Sequence, residues 1–147
     1  MDETIGTILS QVARLIRRTF DERARLVGAT RPQWQVLVIL SRNPGINQGA
    51  VADLLEVEPI TVGRMIDRLQ EAELVERRPD PADRRAWRLH MTAKGCDLLE
   101  QIKPYGIETL ELALDGVSEE DRQTLRRVLD RMRANLSRKS ADPAANG

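Results

Sequence analysis

The chain has 147 residues and a formal net charge of zero, with 23 basic and 23 acidic side chains. This length fits one domain or one protomer of a small assembly. The single cysteine, Cys96, excludes an intrachain disulfide framework and favours a reducing compartment. The N-terminal sequence lacks the features of a signal peptide, and no apolar run approaches the roughly 18 residues of a membrane helix. We therefore expect a cytoplasmic protein with no membrane partner.

Two amphipathic helices are predicted near the ends of the chain. Over residues 5–26 the apolar side chains recur every three to four residues and form one stripe: Ile5, Leu9, Val12, Ile16 and Phe20. A last helix, capped by Ser118, carries a second apolar face: Leu125, Val128, Leu129, Met132 and Leu136. A small domain cannot cover both faces, and burial against a second copy in a two-fold dimer is the simplest solution.

The segment after the first helix predicts a helix-turn-helix. Thr30 and Gln33 form a capping box that begins a second helix. Asn47 is the expected N-cap of a short third helix. Pro59 occupies the first position of a fourth helix, which ends near Glu73. The third and fourth helices, joined by a tight turn, are a candidate helix-turn-helix.

The period of the apolar residues then changes from 3.6 to 2. In RAWRLHM, Trp87, Leu89 and Met91 alternate with outward-facing neighbours, which predicts a half-buried strand. Residues 74–78 are its predicted partner, and the turn-forming residues 79–83 are expected to be a loop. Two strands and a loop directly after a helix-turn-helix form a wing.

A fifth helix is predicted to begin after Thr92, its N-cap, with a kink or a break at Pro104 and Gly106. The predicted fold is therefore mainly α with a small β-hairpin wing. It is a winged helix-turn-helix of six helices that dimerises through its N- and C-terminal helices.

The fourth helix has a polar face that is suited to reading DNA. At about 100° per residue, Thr61, Arg64 and Arg68 lie away from the apolar side, with Ile60 nearby. Arginine can pair with guanine O6 and N7, and threonine offers a hydroxyl or a methyl group in the major groove. The alternative is a solvated face whose arginines are neutralised by acidic residues on the same helix, such as Asp67.

The wing concentrates positive charge, with five arginines and two acidic residues between positions 77 and 88. Arg84 and Arg85 lie at its tip, where an arginine can enter a narrow minor groove, and Arg88 follows on the second strand. Asp83 can orient one of these arginines through a charge-assisted bond. The alternative is a loop that is charged only for solubility.

The segments PQWQVL, INQGAVADLLEVEPITVGRMIDRLQEAELVERR and DPADRRAWRLHMTAKG together resemble the MarR family, especially its SlyA-like branch. The resemblance covers most of the chain, and the third segment is similar to the family's wing motif. It implies a triangular homodimer that regulates transcription, as a repressor, by placing recognition helices in successive major grooves of a palindromic operator. On the family pattern Arg64 lies on the recognition helix, Arg85 is the wing arginine and Asp83 is the acidic residue of the wing.

The resemblance also suggests a division of the chain and an effector. We expect these segments: a protomer over 1–137, its DNA-binding lobe at 30–92, dimerisation helices within 1–28 and 93–137, and a disordered tail at 138–147. The family binds small aromatic acids or phenols between the dimerisation helices and the lobe. Arg14 and Arg17 could meet such a carboxylate and Trp34 could line the pocket, although exposed charge and core packing are the simpler interpretations.

Enzymatic function is not expected. One histidine, His90, and one cysteine, Cys96, cannot supply the usual ligands of a zinc site, and nucleophile-elbow and phosphate-loop sequences are absent from the sequence. We therefore expect no catalytic residue, no metal and no cofactor, and inert packing for Cys96. The alternative from another class is a helical dimeric interaction protein that does not bind DNA.

Overall fold

The computed structural model describes residues 2–141, which contain six α-helices and one antiparallel hairpin. The elements in chain order are α1 (Ile5–Ala24), α2 (Arg31–Arg42), α3 (Gln48–Leu55), α4 (Pro59–Glu71), β1 (Val75–Pro79), β2 (Trp87–Met91), α5 (Ala93–Ala113) and α6 (Glu119–Ala141). A short 3-10 helix, Arg25–Val27, follows α1. The predicted fold class, six helices with a β-hairpin wing, is confirmed.

The helices begin at the caps that the sequence predicts. The Thr30 hydroxyl accepts the backbone N–H of Gln33, whose side-chain oxygen accepts the N–H of Thr30 at 3.0 Å. Asn47 Oδ1 accepts an N–H of the first turn of α3 at 2.8 Å, and the Thr92 hydroxyl does the same for α5 at 3.0 Å. Each cap satisfies a donor that has no partner within its helix, which fixes where the helix starts.

The core of the winged lobe lies between α2, α3, α4 and the hairpin. Its largest fully buried side chains come from all of these elements: Val36, Leu37, Val51, Val62, Ile66, Leu69, Val75 and Leu89. The hairpin is tied to the segment between α2 and α3, because Leu89 donates its backbone N–H to the Ile46 carbonyl at 2.9 Å. The wing and the helix-turn-helix therefore share one core.

Four details of the winged lobe and α5 differ from the prediction. Trp87 is 44% exposed, because it lies at the end of β2 beyond the core that buries Leu89. Pro79 ends β1 opposite Trp87 and is not part of the loop, since a strand end tolerates a missing donor.

Glu73 has a φ of 61°, and α4 accordingly stops at Glu71. Helix α5 continues through Pro104, so a break in the helix is not observed there.

A second, smaller core lies where α1, α2 and α5 meet. Phe20 and Trp34 pack edge to face there, with ring centroids 4.7 Å apart. Asp21 is buried beside them and accepts hydrogen bonds from Trp34 Nε1 and Arg31 Nε, both at 2.6 Å. The hydrogen bond from Arg31 to Asp21 and the negative charge of Asp21 raise the pKa of Arg31 above its ordinary value. The sequence did not predict this link between α1 and α2.

The chain divides into two compact units, residues 1–110 and 111–147. In the second unit Ser118 caps α6 as predicted, accepting the Asp121 N–H at 3.1 Å, and Arg122 donates to the Leu114 and Val117 carbonyls. Helix α6 continues to Ala141, so the predicted disordered tail is helical over its first four positions. The remainder, residues 142–147, lies outside the described residues. Within residues 2–141, none of the helices has the length and apolar character needed to cross a membrane.

Candidate nucleic-acid interface

The outward face of α4 is exposed and cationic. Ile60, Thr61, Arg64 and Arg68 are all exposed, while the opposite side of the helix is buried in the lobe. No hydrogen bond or ion pair within residues 2–141 engages the side chains of Arg64 and Arg68. The alternative of a neutralised face is not observed, because Asp67 pairs with a residue of the hairpin instead.

That residue is Arg77, and it fastens α4 to the hairpin. Its Nη1 donates to Asp67 Oδ1 at 2.6 Å and to Gln70 Oε1 at 2.7 Å. Its Nη2 donates to the Gly63 carbonyl at 3.1 Å, and its Nε donates to Gln48 Oε1 on α3 at 3.0 Å. In the sequence Arg77 belongs to the basic stretch of the wing. In the structure its guanidinium forms hydrogen bonds within the lobe and is not free to bind a ligand.

The wing tip presents two further free arginines. Arg84 and Arg85 are exposed, and their guanidinium groups have no partner among the described residues. Asp83 does not bind either side chain: its Oδ1 accepts the backbone N–H of Arg85 at 2.9 Å. Asp83 therefore shapes the loop through the backbone, which differs from the side-chain bond that the sequence suggested.

Arg88 differs from the tip arginines because it is held at the base of the wing. Its Nε donates to Asp80 Oδ2 and its Nη1 to the Gly45 carbonyl, both at 3.1 Å. A hydrogen bond from the Ala82 N–H and the nearby charge of Arg88 hold the pKa of Asp80 below its ordinary value. The pair therefore contributes to wing stability above the usual pKa of an aspartate, and this contribution is lost as the pH falls through the lowered one.

Of the three residues predicted to bind an effector, Arg14 and Arg17 line the same depression and Trp34 does not. Arg14 and Arg17 are exposed on α1 and line an open depression with the polar side chains of Thr7 and Ser10. Trp34 is half-buried and donates to a buried carboxylate, and no hydrogen bond in the described part of the chain links it to the two arginines.

Two further observations concern the cysteine and potential metal ligands. Cys96 is exposed on α5, so it is not packed as expected. Residues 2–141 contain no cluster of three or more histidine, cysteine or acidic side chains that could hold a metal ion. The free cationic groups of α4 and the wing tip are the main candidate site in the described structure.

Three comparisons with known proteins bear on this site. The sequence pattern of the MarR family matches residues 29–87, which include α4 and most of the wing. The HTH-type transcriptional regulator YybA of Bacillus subtilis (strain 168), itself uncharacterised, is 28% identical over 130 residues, covering 88% of this chain and 87% of YybA.

Solved structures share the fold over most of their length. The transcriptional regulator SlyA is 30% identical, with a TM-score of 0.79 over 93% of this chain and 96% of SlyA. A mutant MarR from E. coli, complexed with operator DNA, is 24% identical, with a TM-score of 0.75 over 87% of this chain and 92% of that one. The likeness to SlyA agrees with the SlyA-like branch that the sequence indicated. The chain belongs to the MarR family of transcriptional regulators.

Proposed function

We propose that this protein is a homodimeric repressor that binds a palindromic double-stranded operator in a sequence-specific manner. Helix α4 enters the major groove, where Arg64 and Arg68 contact guanine edges or phosphates and Thr61 contacts a neighbouring base. Arg84 and Arg85 of the wing tip enter the adjacent minor groove. The observation that carries the proposal is the set of exposed, unpaired arginines on these two elements.

The pairing of arginines supports this choice of surface. Among the arginines of α4 and the hairpin, Arg77, Arg78 and Arg88 bind acidic side chains of the same lobe. The arginines of the outward face and of the tip do not, within the part of the chain that the structure describes. Because a ligand responds to local potential, a formal net charge of zero is compatible with binding a polyanion at this face.

Dimerisation is supported by apolar surface that each unit leaves uncovered. In unit 1, Ile5, Ile8, Val12 and Leu15 of α1 are exposed; in unit 2, Leu125, Val128 and Leu129 of α6 are exposed. Exposed patches of this kind mark interfaces, and a second copy is the simplest partner. A two-fold dimer presents two copies of α4, which calls for an inverted repeat with half-site centres about 34–36 Å apart. E. coli MarR, which shares this fold, has been crystallised with operator DNA.

The experiment that tests the proposal selects bound sequences from a random pool of duplex DNA. The expected result is an inverted repeat, bound by a dimer in sedimentation. Fluorescence anisotropy then compares Arg64→Ala with Arg25→Ala, which removes the same charge from an exposed arginine outside α4 and the wing. Arg64→Ala should cost about 1–3 kcal/mol and relax the base preference, while Arg25→Ala should bind like the parent.

The outcome that favours the alternative is equally clear. A stable dimer that enriches no sequence and shows no salt-dependent binding would be a helical interaction protein without DNA-binding function. An equal loss for Arg64→Ala on selected and random DNA would make Arg64 a phosphate contact, because phosphate contacts do not depend on sequence.

We also propose a small aromatic carboxylate as an effector that weakens operator binding. The support is the exposed, unpaired Arg14 and Arg17 beside hydroxyl side chains on α1. A ligand shifts an equilibrium only by its differential affinity for the two states, so the effect must appear as lowered DNA affinity. Titration with salicylate-like acids at millimolar concentration should lower the affinity for the operator. The decrease should be smaller in Arg17→Ala. An unchanged affinity would exclude this control.

A further inference from the structure

One apolar side chain lies on the polar face of α4. Ile60 is 70% exposed, although the other aliphatic residues of the helix are buried in the lobe. At about 100° per residue it lies some 180° around the helix from Leu69 and about 40° from Arg64. Ile60 therefore belongs to the face that carries the free arginines.

We propose that Ile60 reads the C5-methyl group of a thymine in each operator half-site. This inference rests on the proposed function and names a base that the face selects. The thymine methyl is the apolar feature that a base pair displays in the major groove, and aliphatic side chains recognise it by contact. The partner is taken to be DNA because the neighbours of Ile60 on this face, Thr61 and Arg64, are exposed and polar or cationic.

The position of Ile60 suits this role. It is the second residue of α4, directly after Pro59, in the first turn of the helix. In helix-turn-helix proteins the N-terminal residues of the recognition helix contact base edges. Arg64 follows one turn later on the same face, so that an apolar and a cationic group can read neighbouring base pairs. Exposure of this isoleucine to water is relieved when the methyl group packs against it.

The test removes the methyl group from the DNA and the side chain from the protein in a double-mutant cycle. Each thymine of the selected operator is replaced in turn by deoxyuridine, which keeps every hydrogen bond and lacks only the methyl group. Burial of one methyl group corresponds to about a fourfold change in affinity. The parent protein should lose about this factor per half-site at one position, and Ile60→Ala should show no loss there.

Two controls keep the result specific. Ile60→Ala should keep the thermal midpoint, since the residue is exposed and alanine is the best helix former. Leu26→Ala removes an aliphatic side chain of similar exposure, 75%, from the 3-10 helix, and should keep the parent's sensitivity to deoxyuridine.

Two outcomes would overturn the inference while leaving the proposed function intact. They are tight operator binding with no thymine in either half-site, and a deoxyuridine effect of the same size in Ile60→Ala and the parent. Failure to enrich any DNA sequence would overturn both the inference and the proposed function.

Discussion

Replacing Arg77 with methionine should loosen the junction between α4 and the hairpin. Methionine keeps much of the apolar stem but removes the guanidinium that binds Asp67, Gln70, Gln48 and the Gly63 carbonyl. The Arg77 side chain is only 16% exposed, so these bonds are made largely away from water. The change therefore affects both folding and the placement of α4.

The expected loss of stability follows from the exposure of each acceptor. The bonds to Gln48 and Gly63 are partly buried, and each contributes about 1 kcal/mol. Asp67 is 60% exposed and can be rehydrated, so its ion pair contributes about 0.5 kcal/mol, with a similar value for the exposed bond to Gln70. The total is about 3 kcal/mol. For a chain of this size that lowers the thermal midpoint by about 5–10 °C.

Arg84→Met is the matched control, because it makes the same change at an exposed and unpaired arginine of the wing tip. Thermal unfolding at a fixed protomer concentration should show little change for Arg84→Met and the full shift for Arg77→Met. In operator binding by the dimer, Arg84→Met removes one cationic group at each of the two wings and should reduce the slope of log affinity against log salt by about 1.8. Arg77→Met should weaken binding with the slope unchanged.

The opposite pattern would refute the argument. An Arg77→Met variant with the parent's thermal midpoint and a reduced salt slope would identify Arg77 as a DNA contact. The hydrogen bonds to α4 would then contribute nothing measurable to the folded lobe.

Three further predictions concern the loop, the helix junction and a close approach. Asp83→Ala and Arg85→Ala should both weaken operator binding without moving the thermal midpoint, and the double mutant should match Arg85→Ala; tighter binding by Asp83→Ala would exclude its role in the loop. Asp21→Ala should destabilise by about 1–3 kcal/mol in thermal unfolding, since it leaves a partly buried indole N–H unpaired. Gly95→Ala should destabilise by about 1–3 kcal/mol, because a Cβ there would overlap the Leu74 carbonyl oxygen; an unchanged melting curve would contradict the packing.

The parts of the fold that the sequence predicted correctly depend on local chemistry. The caps at Thr30, Asn47 and Thr92 join residues three positions apart, and the apolar stripe of α4 repeats within one helix. Such signals can be read without knowing the tertiary structure. The exposed face of α4 follows from the same periodicity, which is why Ile60 and Arg64 could be placed on it.

The roles of Arg77 and Arg88 could not be predicted, because their partners are distant in sequence. Arg77 binds Gln48, 29 positions away, and Arg88 binds the Gly45 carbonyl, 43 positions away. In the sequence both arginines look like the free pair at the tip. Trp87 was misplaced for a related reason, since alternation shows which face of β2 a side chain takes but not where the core ends.

The wing explains how a chain without net charge can present a cationic edge. The Asp80 carboxylate is only 12% exposed, and it is occupied by a loop N–H and by the guanidinium of Arg88. Asp83 accepts a hydrogen bond from the loop backbone, and the side chains of Arg84 and Arg85 stay unpaired. The acidic residues thus stiffen the loop while the arginines stay available. Because a preorganised loop loses less entropy on binding than a mobile one, the same carboxylates that reduce the net charge should favour insertion of the tip into the minor groove.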